Sequence, residues 1–238
     1  MDFTEILVDS WDYIKCGIIA NSTRWMQLIV AVLFLGIPFN GYLLRVYRGI
    51  TPAPEVDGWG TLFIDGLKVL VITIIYILPL LLILILVLGL MILASPGGNI
   101  GDPGIAGGFF ESLFTLLYYL MEFVIAAILP VAYIRFARTG LFFEAFNFGA
   151  ILETIGRIGW LNYVVAVVFI ALLIGVPLTM VLFLFLFILF FALVLFNSNI
   201  VVVVGILAFL ALLALIIIPL VSVFQARYLT RVYNFSGE

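Results

Sequence analysis

The chain has 238 residues, of which 66% are hydrophobic and 10% charged. Ordinary globular chains are about half apolar and about a quarter charged, so a water-soluble domain is excluded and lipid is the expected solvent for most of the chain. There is no His, a single Cys and a formal net charge of −3, which removes His-based acid–base chemistry, most metal sites and any intrachain disulfide.

The start of the chain, Met1-Asp2-Phe3-Thr4-Glu5, has no basic segment ahead of an apolar one, so it does not read as a cleaved signal peptide. Cys16 has no His to activate it and reads as a small apolar filler. Asn21-Ser22-Thr23 is a glycosylation sequon by spacing, but it lies too near the first apolar run for glycan transfer to be expected. Because backbone N–H groups in hydrocarbon need internal partners, long apolar runs are expected to be helices, and about 20 residues cross a ~30 Å core. Five runs qualify, at about 25–47, 67–94, 109–138, 160–196 and 200–233.

The first run closes on Tyr42-Leu43-Leu44-Arg45-Val46-Tyr47. Residues 57–66, with Trp59, Phe63 and Asp65, suit the headgroup layer as an interfacial segment. The loop Ser95-Pro96-Gly97-Gly98-Asn99-Ile100-Gly101-Asp102-Pro103-Gly104 is dense in turn formers; it lacks the Gly-Lys-Ser/Thr ending of a phosphate cradle and reads as a turn. The third run closes on Tyr133-Ile134-Arg135-Phe136-Ala137-Arg138, and residues 143–158 form a second interfacial segment. The fourth run contains Gly175-Val176-Pro177; one tilted or kinked helix is expected, two short spans being the alternative. The fifth closes on Tyr228-Leu229-Thr230-Arg231-Val232-Tyr233. Pro38, Pro79, Pro130, Pro177 and Pro219 fall inside apolar runs, where each tends to kink its helix.

These endings suggest an internal repeat: an amphipathic helix, an ascending span, a loop, and a descending span ending in Tyr and Arg. Phe3, Ile6, Leu7 and Asp9 match Trp59, Leu62, Phe63 and Asp65 at identical spacing, and Phe148, Ile151, Leu152 and Thr154 match again. Units of about 3–49, 57–140 and 146–235 follow, within one transmembrane domain covering 1–238. Basic residues cluster at Arg45, Arg48, Lys68, Arg135, Arg138, Arg157, Arg227 and Arg231. The positive-inside rule makes that side cytoplasmic. Five spans then put the C-terminus inside and the N-terminus outside, together with Lys15 and Arg24; the alternative, since residues 3–14 resemble segments placed inside, is an N-terminal helix that lies flat or re-enters.

Glu122 is the sharpest candidate for function. It lies near the middle of the third run with Tyr118 and Tyr119 close by, and no Lys or Arg lies at comparable depth in any run. An ionised carboxylate there costs several kcal/mol unless paired. It reads either as a proton or cation site, with Tyr118, Tyr119 or Tyr76 as neighbours, or as a contact to another helix or an unseen subunit. The arginine pairs Arg45/Arg48, Arg135/Arg138 and Arg227/Arg231 each share a helix face and are candidate sites for anionic lipid headgroups. The alternative is simple topological anchoring, with Tyr42, Tyr47 and Tyr233 in an aromatic belt. Asp65/Lys68 and Glu153/Arg157 have the spacing of surface ion pairs.

Gly41-Tyr42-Leu43-Leu44-Arg45-Val46, followed by Pro54-Glu55-Val56-Asp57-Gly58-Trp59-Gly60-Thr61-Leu62-Phe63-Ile64-Asp65-Gly66-Leu67-Lys68 and then Tyr76-Ile77-Leu78-Pro79, resembles a family of archaeal polytopic membrane proteins, domain of unknown function 4013. The resemblance extends through Tyr133, Arg135 and Asn147-Phe148-Gly149 into the fourth run. It implies an archaeal cell membrane and carries over no catalytic residues.

The expected fold is therefore all-α: a polytopic integral membrane protein with about five transmembrane helices plus interfacial amphipathic helices. The expected function is a non-enzymatic scaffold or accessory subunit that binds lipid or a partner membrane protein. The alternative is a transporter or channel using the carboxylate of Glu122. No catalytic residue, metal or cofactor is expected, and no nucleic acid; the expected partners are membrane lipids and another membrane protein or a second copy of the chain.

Overall fold

The computed structural model describes residues 2–94, 104–195 and 200–237. The turn-rich loop lies outside the described residues from 95 to 103, as does the connection at 196–199. Among the described residues there are eight α-helices and no strand, in keeping with the all-α expectation. Helix α1 (Phe3–Ile14) starts on Asp2, whose side chain accepts from the Thr4 and Glu5 amides. It buries Ile6, Ser10, Tyr13 and Ile14, the stripe that i, i+4, i+7, i+8 spacing places on one face. A π turn at Lys15–Ile19 follows, and the chain bends 94° into α2 (Ser22–Leu33). Asn21 accepts from the Arg24 amide, so the residue that opens the sequon serves as the cap of α2. Cys16, expected as a filler, is exposed.

The first apolar run is not one helix. Helix α2 stops at Leu33, Leu35 and Gly36 take left-handed φ values of 57° and 69°, and α3 (Ile37–Tyr47) starts afresh. Pro38 is the physical cause: it has no N–H to give to residue 34, and its ring collides with the carbonyl there. It is tolerated in the first turn of α3, where that N–H would have no partner anyway.

Four longer helices follow: α4 (Trp59–Ala94), α5 (Gly104–Thr139), α7 (Trp160–Leu195) and α8 (Ile200–Tyr233). All four are long and apolar enough to cross a membrane, and a fifth span is reached if the bent pair α1–α2 counts as one. Segment 57–66, expected as a separate interfacial helix, is the start of α4. Residues 143–158 do form separate elements, a 3-10 turn at Phe142–Phe146 and α6 (Phe148–Ile158), whose buried face is Ile151, Thr154, Ile155 and Ile158. Pro177 leaves α7 continuous, which favours the single-helix reading of the fourth run over two short spans.

A 36-residue helix is about 54 Å long, well beyond a ~30 Å hydrocarbon core. The surplus is used at one end, where α4 and α7 begin and α5 and α8 finish. Here, in what we call the base, α1, α3 and α6 pack among the long helices. Ile72, Ile134, Ile151, Ala166 and Tyr228 are buried in one part of it, and Ile18, Leu28, Tyr42, Leu62 and Val223 in another. Away from the base, the hairpins α4/α5 and α7/α8 leave their apolar side chains outward: Ile85, Leu116, Phe183 and Val201 are 65%, 58%, 73% and 74% exposed.

The two ends of the chain meet at the base. Glu5 and Asp9 of α1 lie against Arg231 and Arg227 near the end of α8. The break at Leu35–Gly36 means that the first run is not one straight helix.

Candidate functional site

The expected site residues fall into two places, the base and the arm of α5. In the base, α3, α5 and α8 arrive with their arginines and touch one another. Arg48 Nε donates to the Ala137 carbonyl at 3.1 Å. Arg138 donates to the Asn234 side chain and lies 4.6 Å from the centre of the Tyr233 ring. Tyr47 stacks on Tyr133 at 6.1 Å.

Each of these three helices also sends an arginine to another amphipathic segment of the chain. From α3, Arg45 Nη1 lies 2.5 Å from Asp57 Oδ1 and its Nη2 donates to Thr61 Oγ1 at 3.1 Å, while Arg48 reaches Asp65 at 3.3 Å. From α5, Arg135 reaches Glu144 at 2.7 Å and Thr154 Oγ1 at 3.2 Å. From α8, Arg227 engages both oxygens of Asp9 at 2.8 and 3.3 Å, with Arg231 3.5 Å from the same carboxylate. The order is α3 to α4, α5 to α6, and α8 back to α1, which closes a ring. Asp65, Thr154 and Asp9 occupy the matching fourth position of the three amphipathic segments. The second matching position is Leu62, Ile151 and Ile6, and all three side chains are buried.

All six arginines named as candidate headgroup ligands therefore contact protein groups. Arg227 is the most enclosed, with 7% of its side chain exposed, against 12% for Arg135 and 16% for Arg45. Tyr42 and Tyr233 are buried in the base rather than set in an aromatic belt. Hydrogen bonding to Arg45 holds the Asp57 carboxyl below its ordinary range, and Arg135, with Asn147 behind it, does the same for Glu144. The expected surface pairs are present, Lys68 to Asp65 at 3.5 Å and Arg157 to Glu153 at 2.6 Å. Arg24, expected on the far side, lines a polar recess with Glu55 and Asp57 at the base.

The second place is α5. Glu122 is on its exposed surface, outside the packed core. Tyr118 is half-buried and Tyr119 is 62% exposed; both border a shallow groove against Ile83, Leu84 and Val87 of α4. Tyr76, considered as a neighbour of Glu122, instead donates to the Ala145 carbonyl at 2.6 Å in the base.

Asp9, Asp57 and Glu144 were not singled out as partners of the arginines. Asp9 carried a usable signal, since its spacing matches Asp65. What local pattern does not carry is the pairing of each arginine-bearing end with an amphipathic segment, a contact 218 residues apart in the case of Arg227 and Asp9.

The fold and the charged base define a helical protein compatible with multi-pass insertion, with one polar, tightly packed end and two long apolar hairpins. Residues 26–186 match a family model described as protein of unknown function (DUF4013), and the chain belongs to that family. No curated protein and no solved structure matches the chain.

Proposed function

We propose that the protein is a non-enzymatic scaffold or accessory subunit of an archaeal cell membrane, holding lipid or a partner membrane protein against its two hairpins. The observation that carries this is the division of the chain. In the base every exit arginine contacts a protein group, whereas the apolar arms are left open: the most apolar stretches of α5 and α8 have no buried residue. A surface of that kind is covered by lipid tails or by other helices. The base is cytoplasmic in this reading, by its concentration of Arg and Lys. Arg48 and Arg231, with 39% and 32% of their side chains exposed, are the ring arginines open to anionic headgroups as well. Three duplicated units underlie the architecture, supported by the matched Ile6/Leu62/Ile151 and Asp9/Asp65/Thr154 positions and by the closed order of arginine contacts.

Purification in mild detergent followed by native mass spectrometry tests the reading. A retained lipid or a stoichiometric membrane protein is the expected result; a clean, lipid-free monomer would sink it. The competing reading, a transporter using Glu122, expects flux that is lost in Glu122→Gln. It needs a polar path to that carboxyl, and the exposed position of Glu122 on the outer surface of α5 favours a contact role.

A further inference from the structure

One polar stripe interrupts the apolar surface of the arms. Thr115, Tyr118, Tyr119 and Glu122 recur at three- and four-residue spacing along α5, so they share one side of the helix. Thr115, Tyr119 and Glu122 are exposed, and the Tyr118 ring sits edge-on to Tyr119 at 5.8 Å. Among the described residues, Glu122 has neither a hydrogen-bond nor an ion-pair partner.

Glu122 is ten residues into the candidate span Ser112–Thr139, about 15 Å along the axis and deep in hydrocarbon. A carboxyl group facing lipid at that depth is strongly disfavoured. The chain offers it no cation there: α7 and the membrane portion of α8 contain no Lys or Arg before Arg227, and Lys68 of α4 is at the base. Among the described residues no group pairs with it, so a partner outside the chain is the cover that fits. The groups available, phenol donors beside a carboxyl acceptor, are complementary to themselves, as a contact between two identical faces requires.

We propose that this stripe is a homodimer interface, occupied by α5 of a second copy. Copies of one chain insert with the same orientation, so their two-fold axis lies along the membrane normal and equal positions meet at equal depth. The hydroxyls of Tyr118 and Tyr119 in one copy donate to Glu122 of the other, and the reverse. The offset of three or four residues, about 4–6 Å along the helix, is within the reach of a tyrosine side chain. Interhelical hydrogen bonds of this type hold transmembrane helices together where hydrophobic burial gives no net drive. The inference rests on the scaffold reading and names the partner.

The test uses the full chain. In a Cys16→Ser background, Thr115→Cys on the stripe and Leu120→Cys on the opposite side of α5 are oxidised in native membranes. Single-molecule subunit counting in lipid bilayers then compares wild type with Glu122→Leu and Glu122→Gln over a lipid-dilution series. The expected results are a disulfide dimer at position 115 and none at 120. Dimerisation should weaken about tenfold in Glu122→Leu and be largely kept in Glu122→Gln, whose amide oxygen still accepts. Cross-linking at 115 with Glu122 intact keeps the test valid if Glu122→Leu fails to fold. Equal cross-linking on both sides, a wild-type monomer at every dilution, a cross-link to a different protein, or Glu122-dependent ion flux through a monomer would overturn the homodimer. A monomer that still retains lipid or another membrane protein leaves the scaffold reading standing; a bare monomer removes both.

Discussion

Arg227 and Asp9 show how much one residue can decide at the base. The guanidinium is nearly enclosed and donates to both carboxylate oxygens, while its Cζ lies 4.6 Å from the Tyr13 ring centre. Removing one partner of a buried pair is costly because the other charge stays desolvated. Asp9→Ala is therefore expected to destabilise the protein by about 3 kcal/mol, read as a lowered midpoint of thermal unfolding in detergent. Glu153→Ala, which removes an exposed i,i+4 pair, should change stability by less than about 0.5 kcal/mol. The lowered carboxyls of Asp57 and Glu144 set a pH dependence. Both bind protons less readily folded than unfolded, so their stabilisation is complete above the ordinary carboxylate range and is lost as pH falls through their lowered folded values. An unfolding series from pH 7 downward should show stability falling in the acid range, with a shallower fall in the double variant Asp57→Asn/Glu144→Gln.

At the level of elements, the tightest contact is the crossing of α3 and α4, and two glycines permit it. A Cβ on Gly41 would lie 2.0 Å from the Leu62 carbonyl oxygen, and one on Gly66 would lie 1.8 Å from that of Ile37. Both obstructions are backbone, which cannot rotate aside, so small residues here let two helix backbones meet directly. Gly41→Ala is expected to cost about 3 kcal/mol or more by forcing α3 away from α4 and, with it, Arg45 from Asp57. Gly60, in the first turn of α4, has open space around its Cβ position; Gly60→Ala should be neutral or stabilising by up to about 1 kcal/mol. Unfolding midpoints of the two variants measured side by side check this contrast.

For the whole molecule, the ring of contacts from α3 to α4, α5 to α6 and α8 to α1 ties the first helix to the last. Among the described residues, the side chains that the hairpins bury lie toward their bases. Both termini should face the same compartment, which reporter fusions at each end can establish; opposite compartments would contradict the α1–α8 contact. Severing the ring at Asp9 should release α1 before the hairpins, visible as faster amide exchange confined to the first 20 residues or so.

The amino-acid sequence determined what depends on solvent and local pattern. Long apolar runs have no option but helix in lipid, so α4, α5, α7 and α8 were legible, as were the amphipathic faces of α1 and α6 and the gathering of Arg and Lys at one end. The three-dimensional packing decided what depends on distant or competing partners. Pro38 read as a kink until Leu35 and Gly36 turned it into a break, and α1 came to lie against the end of α8. The exit arginines read as headgroup ligands or membrane anchors because a guanidinium near an interface satisfies both; only the packing of α3, α5 and α8 against the segments that carry Asp57, Glu144 and Asp9 showed that the acids facing them come from the same chain. Glu122 was legible as a lone carboxyl in an apolar run, but which side of α5 it faces is set by how α4 and α5 pack, and hydropathy carries no record of that rotation.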